Sequence, residues 1–483
     1  MKTVTSLLMA AALLFNAVNA RAEFSLNRTI SDGMVLQQKS EARIWGKADA
    51  NRSVKVKTSW NGREYTVRAG SDGKWEVKVS TPEASYTNYS ICVTSGNDTK
   101  VIKDVLVGEV WLASGQSNME MPIRGFFNCP VEGSSEVIAA EAMPDRIRML
   151  TVNVHPSLEP LDDIQLTRGW EKAGPETVSE MSAAAYFFAR RLNASLDVPV
   201  GIVAFARGGA RVEGWLPRET LARMGEDLSP EGMDKWVEYH KPYLFYNGME
   251  QPVKGYTAKG FLWYQGCSNV GAHGAFVERM TELVRQWRDD WGDTNNSMPF
   301  YMVEIAPFRY NPSGEGVAAL LRQAQHEAAA VIPNSGIIVT NDLVYTYEVD
   351  NIHPCRKQPV GNRLAYMALH RNYGFTKLPC DSPEAVEAFI PEGKQGEIRV
   401  RLSNCPNGLN RLHEICGLEV RGKESDWTPV TDVNFIWQEN TLSIRCDAVS
   451  DPQEVRYGWG DFVPGNLANA EGLGLVPFCI GIK

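Results

Sequence analysis

Hydrophobic positions fall in a dense run just ahead of a polar break at Val105 to Met121, VLVGEVWLASGQSNMEM. Val105, Leu106, Val107, Val110, Trp111 and Leu112 crowd the first eight positions of that stretch. A continuous apolar run of this length fits a strand buried on both faces, as in a parallel sheet. It ends in Ser114, Gly115, Gln116, Ser117 and Asn118, which cannot continue a core strand. A buried strand that stops in a Gly-Ser turn presents a hydroxyl at the carboxyl edge of the sheet, where α/β proteins build their sites. The same residues also read as an ordinary helix N-cap.

The pattern elsewhere divides the chain into three. From about Phe24 to Lys103, apolar and polar residues alternate, clearly so in Ser53 to Lys57 and Lys74 to Val79. Asn61-Gly62, Asp72-Gly73 and Ser95-Gly96-Asn97 punctuate them as turns, which predicts a small β-sandwich over residues 23–104. From 105 to 374 the rhythm becomes strand, polar loop, helix. Strands are predicted at Val105 to Ala113, Ile147 to Val152, Val200 to Phe205, Gly260 to Tyr264, Phe300 to Ile305 and Gly336 to Thr340. Helices are predicted at Ser182 to Ala194, Phe276 to Trp287, Gly316 to Val331 and Val360 to Asn372. Right-handed crossovers turn that order into a flavodoxin-like three-layer α/β domain. Short strands return from 375 to 483, forming a second β module whose apolar tail, Leu467 to Phe478, is expected to pack back onto the α/β domain.

Composition narrows the function classes. A length of 483 residues suggests two or three domains, and 43 % hydrophobic with 22 % charged residues is ordinary for a globular protein. A net charge of −9 argues against nucleic acid or an anionic membrane as partner. Lys2, the apolar run Leu7 to Phe15, and the small residues Ala20 and Ala22 read as a signal peptide over residues 1–22. With no second long apolar stretch, the mature chain is expected to be exported and soluble, periplasmic or extracellular, in an oligomeric state the sequence does not set. Nine cysteines permit disulfides in such a compartment, but no zinc-type Cys spacing and no HExxH occurs, so no metal or other cofactor is expected.

Four ordered blocks carry the chemistry: GEVWLASGQSNMEM, AFARGGARVEGW (204–215), GFLWYQGCSN (260–269) and DNIHP (350–354). Together they resemble the SGNH hydrolases, in the branch of sialate O-acetylesterases and related carbohydrate esterases. SDGMVLQQ near the N-terminus, and EVRYGW and NLANAEGLGLVPF near the C-terminus, extend the resemblance over nearly the whole mature chain. It implies Ser117 as nucleophile, His353 as general base and Asp350 as the group that orients the base. A backbone carbonyl could orient the ring instead. The oxyanion donors implied are the Ser117 amide, Gly208 (with Gly209 as alternative) and the Gln265 side chain (with Asn269 as rival). An ionised Asp350 would raise the His353 pKa above its usual value of about 6.5.

Trp215 is a candidate stacking face for a sugar ring, and Arg207 or Arg211 a candidate for a sugar carboxylate. A core tryptophan and surface charges fit the same residues. Cys267 stands where related sequences usually carry a glutamate, and an expected disulfide joins it to Cys355; unpaired thiols, or pairing of either with Cys129, are the alternatives. The function implied is a secreted, metal-independent Ser-His-Asp esterase removing O-acetyl groups from carbohydrates. Acetylated plant or microbial polysaccharide (xylan, pectin) is an alternative substrate to sialic acid, and a catalytically weak carbohydrate-binding relative is the alternative class.

Overall fold

In the computed structural model the described residues are 23–483, apart from 141–145, 166, 312–315, 395 and 411–413. The stretch expected to be a signal peptide lies outside them. No helix among the described residues is long and apolar enough to cross a membrane.

One strand organises the molecule. The apolar run at 105–112 belongs to a single strand of 18 residues, Asp98–Gly115. Its first part pairs antiparallel with Ser85–Ser95 in the N-terminal β region. Its last part is flanked on both sides by parallel strands, Val200–Ala206 and Gly260–Tyr264. The expected division between residues 104 and 105 therefore falls inside a continuous strand. A register shift there, with Asp104 at φ +55°, marks the passage from one pairing to the next. A bulge of this kind bends a strand without ending it. Arg148, wholly buried, holds the bend by donating to Asp104 Oδ1 at 2.9 Å and to Gly33 O at 2.8 Å.

The central sheet runs in the order Trp170–Lys172, Ile147–Thr151, Val200–Ala206, Asp98–Gly115, Gly260–Tyr264, Phe300–Val303 and Ser335–Ile338. All neighbours along it are parallel except the edge strand Trp170–Lys172. Both faces are buried, and alternate side chains of Gly260–Tyr264 show how. Phe261 and Trp263 join Leu283 and Trp287 of helix Phe276–Asp290, and Leu321 and Ala324 of helix Val317–Val331, in one core. Leu262 and Tyr264 join Phe188 of helix Ala183–Leu196 and Leu364 and Ala368 of helix Lys357–Asn372 in another. A pair of helices thus covers each face, which is why these strands read as unbroken apolar runs.

The C-terminal region holds two four-stranded sheets around a core that includes Val400, Leu418, Leu442, Val455 and Tyr457. Its attachment to the central region is polar and specific. Arg322, buried in helix Val317–Val331, donates to the carbonyls of Gly460 and Asp461. The Asp461 carboxylate in turn accepts the Ala318 and Asn311 amides. Further along, Arg363 donates to Gly472 O at 2.8 Å and Asn341 to Leu475 O at 3.3 Å. The apolar side chains of the tail, Leu467, Leu475 and Phe478, join the C-terminal core itself and not the α/β core they were expected to cover.

Candidate active site

The Ser117 turn begins where the central strand runs out. Gly115 has φ +134°, and a Cβ there would stand 2.3 Å from the carbonyl oxygen of Tyr264 in the neighbouring strand. Only glycine allows that conformation at that approach. Gln116 closes the junction: its amide donates to Tyr264 O at 2.9 Å, and its side-chain oxygen accepts the Gly266 amide at 2.8 Å. Ser117 then opens a one-turn helix, Ser117–Glu120. Gln116 is its N-cap residue, so the N-cap-like residues do start a helix, though one of a single turn.

From the far side of the sheet edge, the DNIHP loop brings His353 Nε2 to 2.8 Å from Ser117 Oγ. Two contacts hold the loops in this relation. Asn118 donates its side-chain amide to Ile352 O at 3.0 Å, and accepts from Lys357 Nζ at 2.5 Å. Lys357 is buried at the start of helix Lys357–Asn372, near Glu348 and the thiols of Cys129, Cys267 and Cys355. Burial pushes its pKa down to about 8. The same burial, reinforced by the Lys357 charge, pushes His353 down to about 4.

Several expected partners are elsewhere. Asp350 does not orient His353: its carboxylate is exposed and grips Arg309. Asp350 and His353 are three residues apart on an irregular loop, so their spacing sets no common direction. Gln265 is buried with its amide donated to Ala210 O at 3.2 Å and Asn269 Oδ1 at 2.7 Å, which leaves it no hydrogen for an oxyanion. Asn269 is equally committed, donating to Glu213 and accepting the Val212 amide. The Gly208 amide does reach the site, but it donates to Glu120 Oε2 at 2.5 Å. Gly209, at φ +76°, is backed by the Tyr239 ring.

Glu120 is a carboxylate at the site that the sequence reading did not single out. Its position three residues after Ser117, on one helical turn, is the signal that could have found it. Burial raises its pKa, against the opposing influence of the Gly208 hydrogen bond and the Arg207 charge. Arg207 lies over the Tyr239 ring beside this carboxyl group. Arg211 is taken up by Glu213 at 3.1 Å and by the Trp236 ring.

Trp215 is no sugar platform. It is fully buried among Phe205, Phe245, Trp263 and Trp287, with ring centroids 5.5–6.3 Å away. Trp215→Ala is therefore expected to cost about 3–5 kcal/mol of stability, as for other buried aromatics. A lowered urea midpoint with an unaltered KM is the expected result; a raised KM at unchanged stability would contradict the placement.

All nine cysteines are unbridged, so the expected Cys267–Cys355 disulfide is not formed. Cys267 faces the Tyr310 hydroxyl, whereas the Cys355 segment turns to Glu348, whose Oε1 accepts the Cys355 amide at 2.9 Å. Among the described residues no group of three or more metal-ligating side chains occurs.

A hydroxyl and an imidazole within hydrogen-bond reach, at the carboxyl edge of a doubly covered parallel sheet, are the pairing that acyl-transfer chemistry by a serine requires. Comparison with known proteins agrees and is more specific. Residues 107–370 match the family described as carbohydrate esterase, sialic acid-specific acetylesterase. The sialate O-acetylesterase of Homo sapiens is 28 % identical over 466 residues, spanning 89 % of this chain and 86 % of that protein. That of Pongo abelii is 28 % identical over 468 residues, with the same coverage of 89 % and 86 %. Among solved structures, a carbohydrate acetylesterase from Xanthomonas citri is 30 % identical and superposes with a TM-score of 0.81, covering 94 % of this chain and 99 % of that one. The chain belongs to the sialic acid-specific acetylesterase family of carbohydrate esterases.

Proposed function

We propose that this protein is an exported serine esterase that removes O-acetyl groups from sialic acids, with Ser117 as nucleophile and His353 as its base. The observation that carries the reading is the 2.8 Å approach of Ser117 Oγ to His353 Nε2. A serine hydroxyl is a weak nucleophile until a base takes its proton, and the neutral imidazole is the form that can. Ser117 attacks the acetyl carbonyl while its proton passes to His353, which returns it to the departing sugar alcohol. Water, activated by the same imidazole, then releases acetate and frees Ser117.

The negative oxygen formed on the way needs donors. We assign them to the Ser117 amide, which as the first of its helix has no intrahelical acceptor, and to the Gly208 amide. The acetyl oxygen takes the place now held on Gly208 by Glu120. No step calls on a metal, because hydroxyl and imidazole supply nucleophile and base. The doubly covered sheet supports a flavodoxin-like SGNH fold for the central region, and the basic start and apolar run of residues 1–22 support export.

Acetate release from matched panels of O-acetylated sialosides, acetylxylan and acetylpectin tests the substrate. Sialosides are expected to give the highest kcat/KM. Preference for xylan or pectin would move the assignment to polysaccharide, and no release from any of them would overturn the esterase reading.

A further inference from the structure

With Asp350 turned to Arg309, the second ring nitrogen of His353 meets a different group. Its Nδ1 lies 3.8 Å from Sγ of Cys129, and that sulfur lies 3.3 Å from Oδ1 of Asn351. The same Asn351 oxygen accepts the backbone amide of His353 at 3.0 Å. Cys129 is fixed in place by a tight turn, in which Phe126 and Cys129 exchange amide–carbonyl hydrogen bonds at 2.9 and 3.0 Å. The Phe126 ring stands edge-on to the imidazole, centroids 5.2 Å apart.

We propose that the neutral pair Cys129–Asn351 orients the His353 imidazole in the place where a carboxylate was expected, and that Asp350 takes no part. The inference rests on the reading of His353 as the base. Its chemistry is that of tautomer choice. Nδ1–H donated to sulfur leaves Nε2 without a proton and able to accept that of Ser117. The thiol hydrogen goes on to Asn351 Oδ1, so every donor in the chain has an acceptor. The thiol faces Lys357 and Glu348 as well as His353, and burial holds it in the protonated form by raising its pKa. Both residues act through His353 and are positioning residues.

A neutral pair differs from a carboxylate in a way that can be measured. An ionised neighbour favours the imidazolium and raises the pKa of the base; a thiol and an amide do not. The charged groups that bear on this corner are Lys357, beside the ring, Glu348, beside the thiol, and the Arg309–Asp350 ion pair on the loop.

The test is ethyl acetate hydrolysis by the full chain, followed through the acid limb of kcat/KM, for D350N, C129A, C129S and N351D. D350N is expected to keep kcat within about twofold, as a surface substitution should. C129A is expected to lower kcat about tenfold or more, because the base loses the group that sets its tautomer. C129S, whose hydroxyl can accept from Nδ1–H, is expected to recover much of that loss. N351D places a carboxylate in the pair and is expected to raise the acid limb by about one pH unit or more. A purely packing role for the pair would make C129A and C129S behave alike, since neither side chain fills the volume of the thiol.

A greater loss for D350N than for C129A overturns the proposal, as does an unchanged kcat in C129A or an unmoved limb in N351D. The underlying reading fails separately. Wild-type protein inactive on every acetyl ester, or unaffected by Ser117→Ala, would overturn both, whereas Ser117-dependent hydrolysis with wild-type C129A sinks this inference alone.

Discussion

Ser117→Ala is expected to abolish ester hydrolysis while leaving the protein folded. The hydroxyl is the only part of the side chain lost, and its partner in the structure is His353 Nε2, 2.8 Å away. The turn itself is held by other atoms: Gly115 at its positive φ, the Gln116 bridges to Tyr264 and Gly266, and the Asn118 bridge to Ile352. Loss of a nucleophile in comparable enzymes lowers kcat on the order of 10⁴ to 10⁶. Steady-state acetate release, set against an unchanged thermal melt, is the measurement. A variant that keeps most of its kcat would remove Ser117 from the mechanism.

The second expected result concerns pH. Burial disfavours the charged imidazolium, and the buried Lys357 ammonium opposes it further, so His353 stays neutral down to about pH 4. Neutral imidazole is the competent base, and kcat/KM should hold level through the mildly acidic range and fall only near that value. An exposed histidine would give a limb near the ordinary value of about 6.5 instead. Lys357→Met removes the second cause and leaves the first, so the limb should move up without reaching the ordinary value. A wild-type limb near 6.5, or a downward shift in Lys357→Met, would contradict this account. The same shift bears on stability. The unfolded chain takes up the His353 proton at about 6.5, the folded chain only near 4. The folded state therefore loses stability as pH falls between them and regains none below.

Much of this arrangement was legible in the chain. Gly260–Tyr264 has the same bounds by pattern and by structure, because a four-residue apolar run between a glycine and a polar block admits few alternatives. The helices over 183–196, 276–290, 317–331 and 357–372 lie within a few residues of their expected ends. What pattern could not reach was the direction of single side chains. A histidine three residues after an aspartate says nothing of which way each points on a loop, and Asp350 points to Arg309. Trp215 is equally large in a core or at a rim, and only the surrounding Phe205, Trp263 and Trp287 decide between them. Gln265 carries donors in either case, but the Ala210 carbonyl and Asn269 that claim them are remote in sequence. Short edge strands such as Trp170–Lys172 and Phe478–Gly481 were missed for a related reason: too few residues alternate for a period to show.

The strand Asp98–Gly115 gives the amino-terminal region a hold on the chemistry that no linker could supply. A hinge between two bodies lets one unfold while the other keeps working. Here the hydrogen-bonded ladder that begins at Ser95↔Asp98 ends two residues short of Ser117. Fraying that starts at the outer hairpin would travel along one backbone toward Ser117. A proteolytic cut between 95 and 98 would free the start of that strand, whereas removal of the whole amino-terminal region would strip the central sheet of the pairing that enters it. The two regions should accordingly melt as one cooperative transition, and the amino-terminal region cannot be exchanged for another by cutting at a flexible joint.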